Sequence, residues 1–134
     1  MSNSLSVFDI AGRAMSAQMV RLNTTASNLA NAGSVSNSKA TAFRALKPVF
    51  ETVNGNPGEA TVRVRQVVTS QTEPTKKHDP DHPMADANGD VWQSGVDSAA
   101  ELVEMLETAR QYQNIVQVLQ TAKTLTLDTL RMGK

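Results

Sequence analysis

Residues 22–34 read LNTTASNLANAGS. Leucine and alanine recur there at helical intervals, but asparagine, threonine and serine fill the positions between. Those polar residues are middling helix formers, because their side chains compete for backbone hydrogen bonds. A helix that carries them needs a use for their amides and hydroxyls. One use is a solvated face; the other is a face pressed against another surface. From Leu22 to Ser38 there is no charged residue. Lys and Glu serve better on a wet face, so a charge-free, amide-rich face points to burial, with Asn, Thr and small residues fixing register across a close contact.

Working outward, Phe8, Ala11, Met15, Met19, Leu22, Ala26 and Leu29 advance by 3 or 4 residues. This is one helical stripe, uninterrupted by proline, and it predicts a helix from Leu5 to about Asn31, roughly 40 Å long. Asn31-Ala32-Gly33 reads as its stop, with Gly33 suited to the left-handed C′ conformation.

The middle changes period. EATVRVRQVVTS alternates, with Val62, Val64 and Val68 on one side and Arg63, Arg65 and Val67 on the other, which predicts a half-buried strand. FRALKPVFETV precedes it across the turn residues NGNPG, so the two segments should form a hairpin. Pro48 lacks an N–H and places its strand at an edge or beside a bulge. EPTKKHDPDHPMADANGD reads as an extended, ordered connector, and DVWQS as a short returning strand.

Asp97 or Ser98 is a suitable N-cap for a second proline-free helix running to about Met132, with Glu101 in its first turn and Arg131 and Lys134 at its basic end. Its main stripe is Leu102, Met105, Ala109, Tyr112, Val116 and Leu119. A second stripe, Ile115, Val118, Ala122 and Leu125, lies on the order of 120° away. One partner helix covers one stripe. Either the middle segment folds back over the second, or other molecules cover it. The middle segment is short and polar, which favours other molecules.

Composition narrows the function. Thirteen basic and thirteen acidic residues in 134 cancel, so there is no basic field for nucleic acid or anionic lipid. Cysteine is absent, which removes disulfides and thiolate chemistry. MSNSLSVFDIAGRAMSAQ lacks a basic n-region and an unbroken apolar core, so no cleavable secretory signal is read there, and no apolar run approaches a bilayer span. His78, Asp79, Asp81 and His82 could be drawn as a metal site, but Pro80 forbids an ordinary helix interior and an ordered turn is expected instead. If Gly89 were the sixth residue of a calcium loop, Met84 and Gly95 would stand at its ligating ends, so that match fails. Arg63, Arg65, Lys76 and Lys77 have no interleaved aromatics. No catalytic residue, metal or cofactor is expected.

With these features in place, the chain resembles the bacterial flagellar rod and hook axial family. LNTTASNLANAGS is similar to its N-terminal signature. VEMLETARQYQNIVQVLQTAKTLTLDTLRMG is similar to its C-terminal helix, with Arg110, Tyr112, Gln113, Thr121, Ala122, Lys123 and Leu130 in the family's places. DPDHPMADANGDVWQSGVD resembles the proximal-rod members through Pro80, His82-Pro83, Ala85-Asp86, Gly89, Val91 and Val96-Asp97, but carries Asp90 where an aromatic is usual.

The resemblance implies an α+β fold. The long terminal helices, in 1–33 and 97–134, pair as an antiparallel coiled coil lining an inner tube, and a small β-rich domain, 34–96, lies outside. It implies a hollow helical homo-oligomer that transmits torque within the cell envelope, contacts other rod proteins and the basal-body base, and is exported by the flagellar type III apparatus. The intramolecular seam is then expected at Phe8, Met15, Met19, Leu22, Leu29, Leu102, Met105, Ala109, Tyr112, Val116 and Leu119. The subunit interface is expected at Asn23, Asn28, Asn31, Ile115, Val118 and Leu125. The competing readings are another rod protein of the same family, a cytosolic coiled-coil adaptor, and a metal-dependent enzyme built on residues 78–86.

Overall fold

The computed structural model describes residues 6–133. Leu5 as a helix start and Lys134 as part of the basic end lie outside the described residues. The N-terminal helix α1 spans Val7–Ala30 and the C-terminal helix α2 spans Ser98–Met132. Between them lie β1 (Val35–Ser36), β2 (Leu46–Asn54), β3 (Ala60–Thr69), β4 (Thr75–His78) and β5 (Asp90–Gln93). This is the α+β arrangement that the sequence predicts.

Both helices start on built caps. The Ser6 hydroxyl accepts from the Asp9 N–H and the Asp9 carboxylate accepts from the Ser6 N–H, a reciprocal capping box. The Ser6 backbone N–H and hydroxyl hold the Asp9 carboxyl below the usual carboxylate range, with Arg13 adding a smaller pull. For α2, the Asp97 carboxylate accepts from the Ala99 and Ala100 N–H groups. The end of α1 differs from expectation. Asn31 is the C-cap, and Gly33 is not left-handed: Gly58 and Gly89 are the described glycines with positive φ. The Asn31 N–H already bonds the Ser27 and Asn28 carbonyls, so no left-handed residue is needed there.

The β2–β3 hairpin forms as read, with its ladder running from Leu46↔Thr69 to Asn54↔Ala60 and a register shift between Val49 and Phe50, next to Pro48. The other sheet has the order β1-β5-β4. Strand β4 arises inside the segment read as a connector. All four of its residues are exposed and show no alternation, so its conformation comes from pairing with β5.

Packing makes α1 the central element. It contacts α2 and both strands of the hairpin, whereas α2 packs on no described element except α1. The middle segment therefore does not fold back over the second stripe of α2. Buried Ser94 ties the exit of β5 to the end of α1, its hydroxyl donating to the Ala32 carbonyl at 2.6 Å and its N–H to the Ser34 carbonyl at 3.2 Å. Gly95 follows where a Cβ would stand 2.8 Å from the Glu73 carbonyl oxygen, so only glycine fits this crossing without movement.

Candidate assembly interface

Three side-chain hydrogen bonds cross between the helices. Gln18 Nε2 donates to Gln111 Oε1 at 3.1 Å, Arg21 donates to Glu104, and Asn28 Nδ2 donates to Glu101 Oε2 at 3.2 Å. Residue numbers fall on α1 as they rise on α2, so the pair is antiparallel. These bonds lie on one line per helix, Ala11, Ala14, Gln18, Arg21, Thr25 and Asn28 facing Glu101, Glu104, Thr108, Gln111 and Ile115, each with steps of 3 and 4. Ala11, Thr25, Asn28 and Thr108 on these lines are buried. Thr108 is 0 % exposed, and its hydroxyl donates to the Glu104 carbonyl of its own helix at 2.7 Å. Its polarity is satisfied locally, so the partner helix can approach closely.

The contact is thus centred one residue, or about 100°, from the expected stripe on both helices. Met15, Leu22, Leu29, Met105, Ala109, Tyr112, Val116 and Leu119 flank it, each half-buried. Phe8, Met19 and Leu102 are exposed, Leu102 to 50 %. The reason is local. Small and amide-bearing residues permit the closest approach and supply the cross-helix bonds, and the bulkier apolar residues are displaced to the flanks.

One side of the asparagine-rich stretch is buried, but inside the subunit. Thr24, Thr25 and Asn28 lie where α1 meets both the hairpin and α2. Asn28, expected at a subunit interface, is 2 % exposed and bonds to Leu46 and Glu101. Asn31 donates its amide to the Ser27 carbonyl as part of the helix stop. Ile115 sits half-buried on the inter-helix line. Asn23, Val118 and Leu125 are exposed. The covered face is not the most apolar one on either helix. The polar line Gln18, Arg21, Thr25 and Asn28 has the same spacing and was legible only through its hydrogen-bonding capacity.

The outside of α2 carries exposed apolar side chains among its polar ones. Leu102, Val103 and Leu106, the last 66 % exposed, lie on the side of α2 opposite Thr108. Val118 and Leu125, the latter 62 % exposed, lie further along with Gln117, Thr121 and Ala122 around a shallow groove of about 350 Å³. Carried at equal rise per residue, the inter-helix register brings Val7 level with about Ala122. Beyond it α2 projects with Leu125, Leu127, Leu130 and Met132 exposed. Thr124, Thr126 and Thr129 turn their hydroxyls onto carbonyls of their own helix, which leaves their methyl groups outward.

The connector is ordered by local bonds. His78 Nδ1 pairs with Asp90 Oδ1 at 2.9 Å, and Lys76 approaches the other carboxylate oxygen at 3.6 Å. The His78 hydrogen bond, with help from the Lys76 charge, holds the Asp90 carboxyl below its usual range. His82 Nδ1 accepts from the Met84 N–H at 3.0 Å, so the two histidines serve different turns. Among the described residues, no group of three His, Cys, Asp or Glu is placed to hold a metal ion. No described helix is long and apolar enough to cross a membrane.

Both ends of the chain match known families. Residues 8–36 match the model described as Flagella basal body rod protein, and residues 87–132 the one described as Flagellar basal body rod FlgEFG protein C-terminal. Full-length relatives narrow the class. The flagellar basal-body rod protein FlgC of Salmonella typhimurium is 44% identical over 132 residues, covering 97% of this chain and 98% of that protein. That of Escherichia coli O157:H7 is 45% identical with the same coverage. That of Aquifex aeolicus is 38% identical over 117 residues, 84% of each chain. The chain belongs to the FlgC family of flagellar basal-body rod proteins.

Proposed function

We propose that this structural rod protein of the flagellar basal body is a proximal-rod subunit that polymerises helically, with neighbouring copies covering the outer apolar face of α2. One observation carries the reading. The helix pair places small and amide-bearing residues at its centre and leaves Leu102, Val103, Leu106, Val118 and Leu125 outside. A monomer gains by the reverse arrangement, since each such side chain yields about 1.5–3 kcal/mol when fully buried. Patches on different sides of one helix require different neighbours. Heterologous contacts between such patches build rings where the rotation closes and open helical filaments where it does not, and the filament is the form a shaft needs.

In this reading the helix pair lines a hollow shaft that transmits torque and lets exported subunits pass, and residues 34–96 face outward. Asn23, Val118 and Leu125 contact neighbours; Met15, Leu22, Met105 and Tyr112 seal the margins of the seam. The subunit lies in the rod within the cell envelope, reaches it unfolded through the flagellar type III apparatus, and adjoins other rod proteins and the basal-body base. The absence of cysteine suits a chain that is threaded through a channel. An epitope-tagged chain should copurify with intact basal bodies after cell fractionation; recovery in the cytosol alone would favour an adaptor.

A further inference from the structure

Asn28 joins three segments through one amide. Its Nδ2 donates to the Leu46 carbonyl at 2.9 Å and to Glu101 Oε2 at 3.2 Å, and its Oδ1 accepts from the Leu46 N–H at 2.7 Å. The pair of bonds to Leu46 is what a neighbouring strand would supply, made here by a side chain to the first residue of β2. Glu101 lies in the first turn of α2. Strand β2 and helix α2 do not pack on each other. Both face a cleft of about 430 Å³ whose lining includes Asn28, Leu46, Pro48, Glu101 and Glu104.

An amide this deeply buried has two N–H groups to satisfy, and each partner takes one. If α2 lifts away, one buried donor loses its acceptor. If β2 lifts away, a donor and an acceptor are both orphaned. Either state costs Asn28 a protein partner that water must replace, and the partner that remains holds the amide aimed at the other, so each contact favours the other. We propose that Asn28 is a positioning residue that makes the seating of α2 on α1 and the clamping of the hairpin a single step. The outer hairpin is then held in a fixed place only when the helix pair is closed. This latch operates within one subunit, whatever surrounds it.

Reciprocal amide exchange tests the latch, read by backbone hydrogen exchange of the full-length chain in purified basal bodies. Asn28→Asp keeps an acceptor for the Leu46 N–H, loses both donors, and sets a carboxylate against Glu101. Exchange should accelerate together at the start of β2 and in the first turn of α2. Adding Glu101→Gln supplies an amide donor to the new carboxylate, so protection should return in the first turn of α2 and, through the coupling, in part at the start of β2, where the Leu46 carbonyl still lacks its donor. Glu101→Gln alone, which still offers an oxygen to Asn28, should change little. Loosening of one segment without the other in Asn28→Asp would overturn the coupling. So would a double variant that stays as open as the single one, or recovers in α2 only.

Discussion

Leu106→Glu combined with Val118→Glu should abolish swimming, while the variant chain accumulates and folds like the parent. Both side chains are more than half exposed in the subunit, so their replacement meets no internal contact that matters. Surface changes of this kind usually fall within about 0.5 kcal/mol, and Glu is as good a helix former as Leu and better than Val. Assembly is another matter. Two apolar contacts worth about 1.5–3 kcal/mol each are lost, and two carboxylates are forced out of water at a penalty of several kcal/mol each unless paired. Motility in soft agar and rods in purified basal bodies are the measurements. Normal swimming would remove the outer face of α2 from the interface.

The second large effect falls inside the subunit. Thr108→Phe adds a ring at a position with no exposed surface, between helices that approach closely because the residue is small. Overpacking of a tight core typically costs about 1–3 kcal/mol. Here the helices must also separate, which stretches Gln18–Gln111 and Arg21–Glu104 on either side. A melting temperature lower by about 5–10 °C follows for a chain of this size, read by circular dichroism on the purified chain. Thr108→Val makes the contrast. The hydroxyl bonds only its own helix, so its loss costs about 1 kcal/mol or less and leaves the helix spacing unchanged. An equal loss in the two variants would show that close approach at this position is not what holds the pair.

Much of the architecture was legible. Both helices announce themselves by a proline-free 3- and 4-residue rhythm, and Asp97 by its place before it. The hairpin follows from alternation in β3 and from NGNPG, and the irregular register beside Pro48 from its missing N–H. Strand β4 was not legible, because TKKH is exposed on all four residues and is extended only through its pairing with β5.

The larger miss was rotational. Steps of 3 and 4 fix a helix face only to within one residue, since Leu22, Ala26 and Leu29 share their rhythm with Arg21, Thr25 and Asn28. Choosing between them by apolarity assumes that the covered face is the greasy one. That assumption fails here, because the covered line carries small and amide-bearing side chains while Leu102, Val103, Leu106, Val118 and Leu125 stay exposed in the subunit. The amides of Gln18, Asn28 and Gln111 were the contrary signal, visible as residue types but not as pairs until α1 and α2 were placed side by side.

If neighbouring copies cover the outer face of α2, that face is bare in the subunit and covered in the rod. The chain contains no cysteine, so a single thiol can be introduced without background. Leu106→Cys and Val118→Cys, made separately, should react readily with a water-soluble maleimide in the free full-length chain and resist it in native basal bodies, with reactivity returning when the basal bodies are dissociated. Equal labelling of free and assembled protein at both positions would contradict the account.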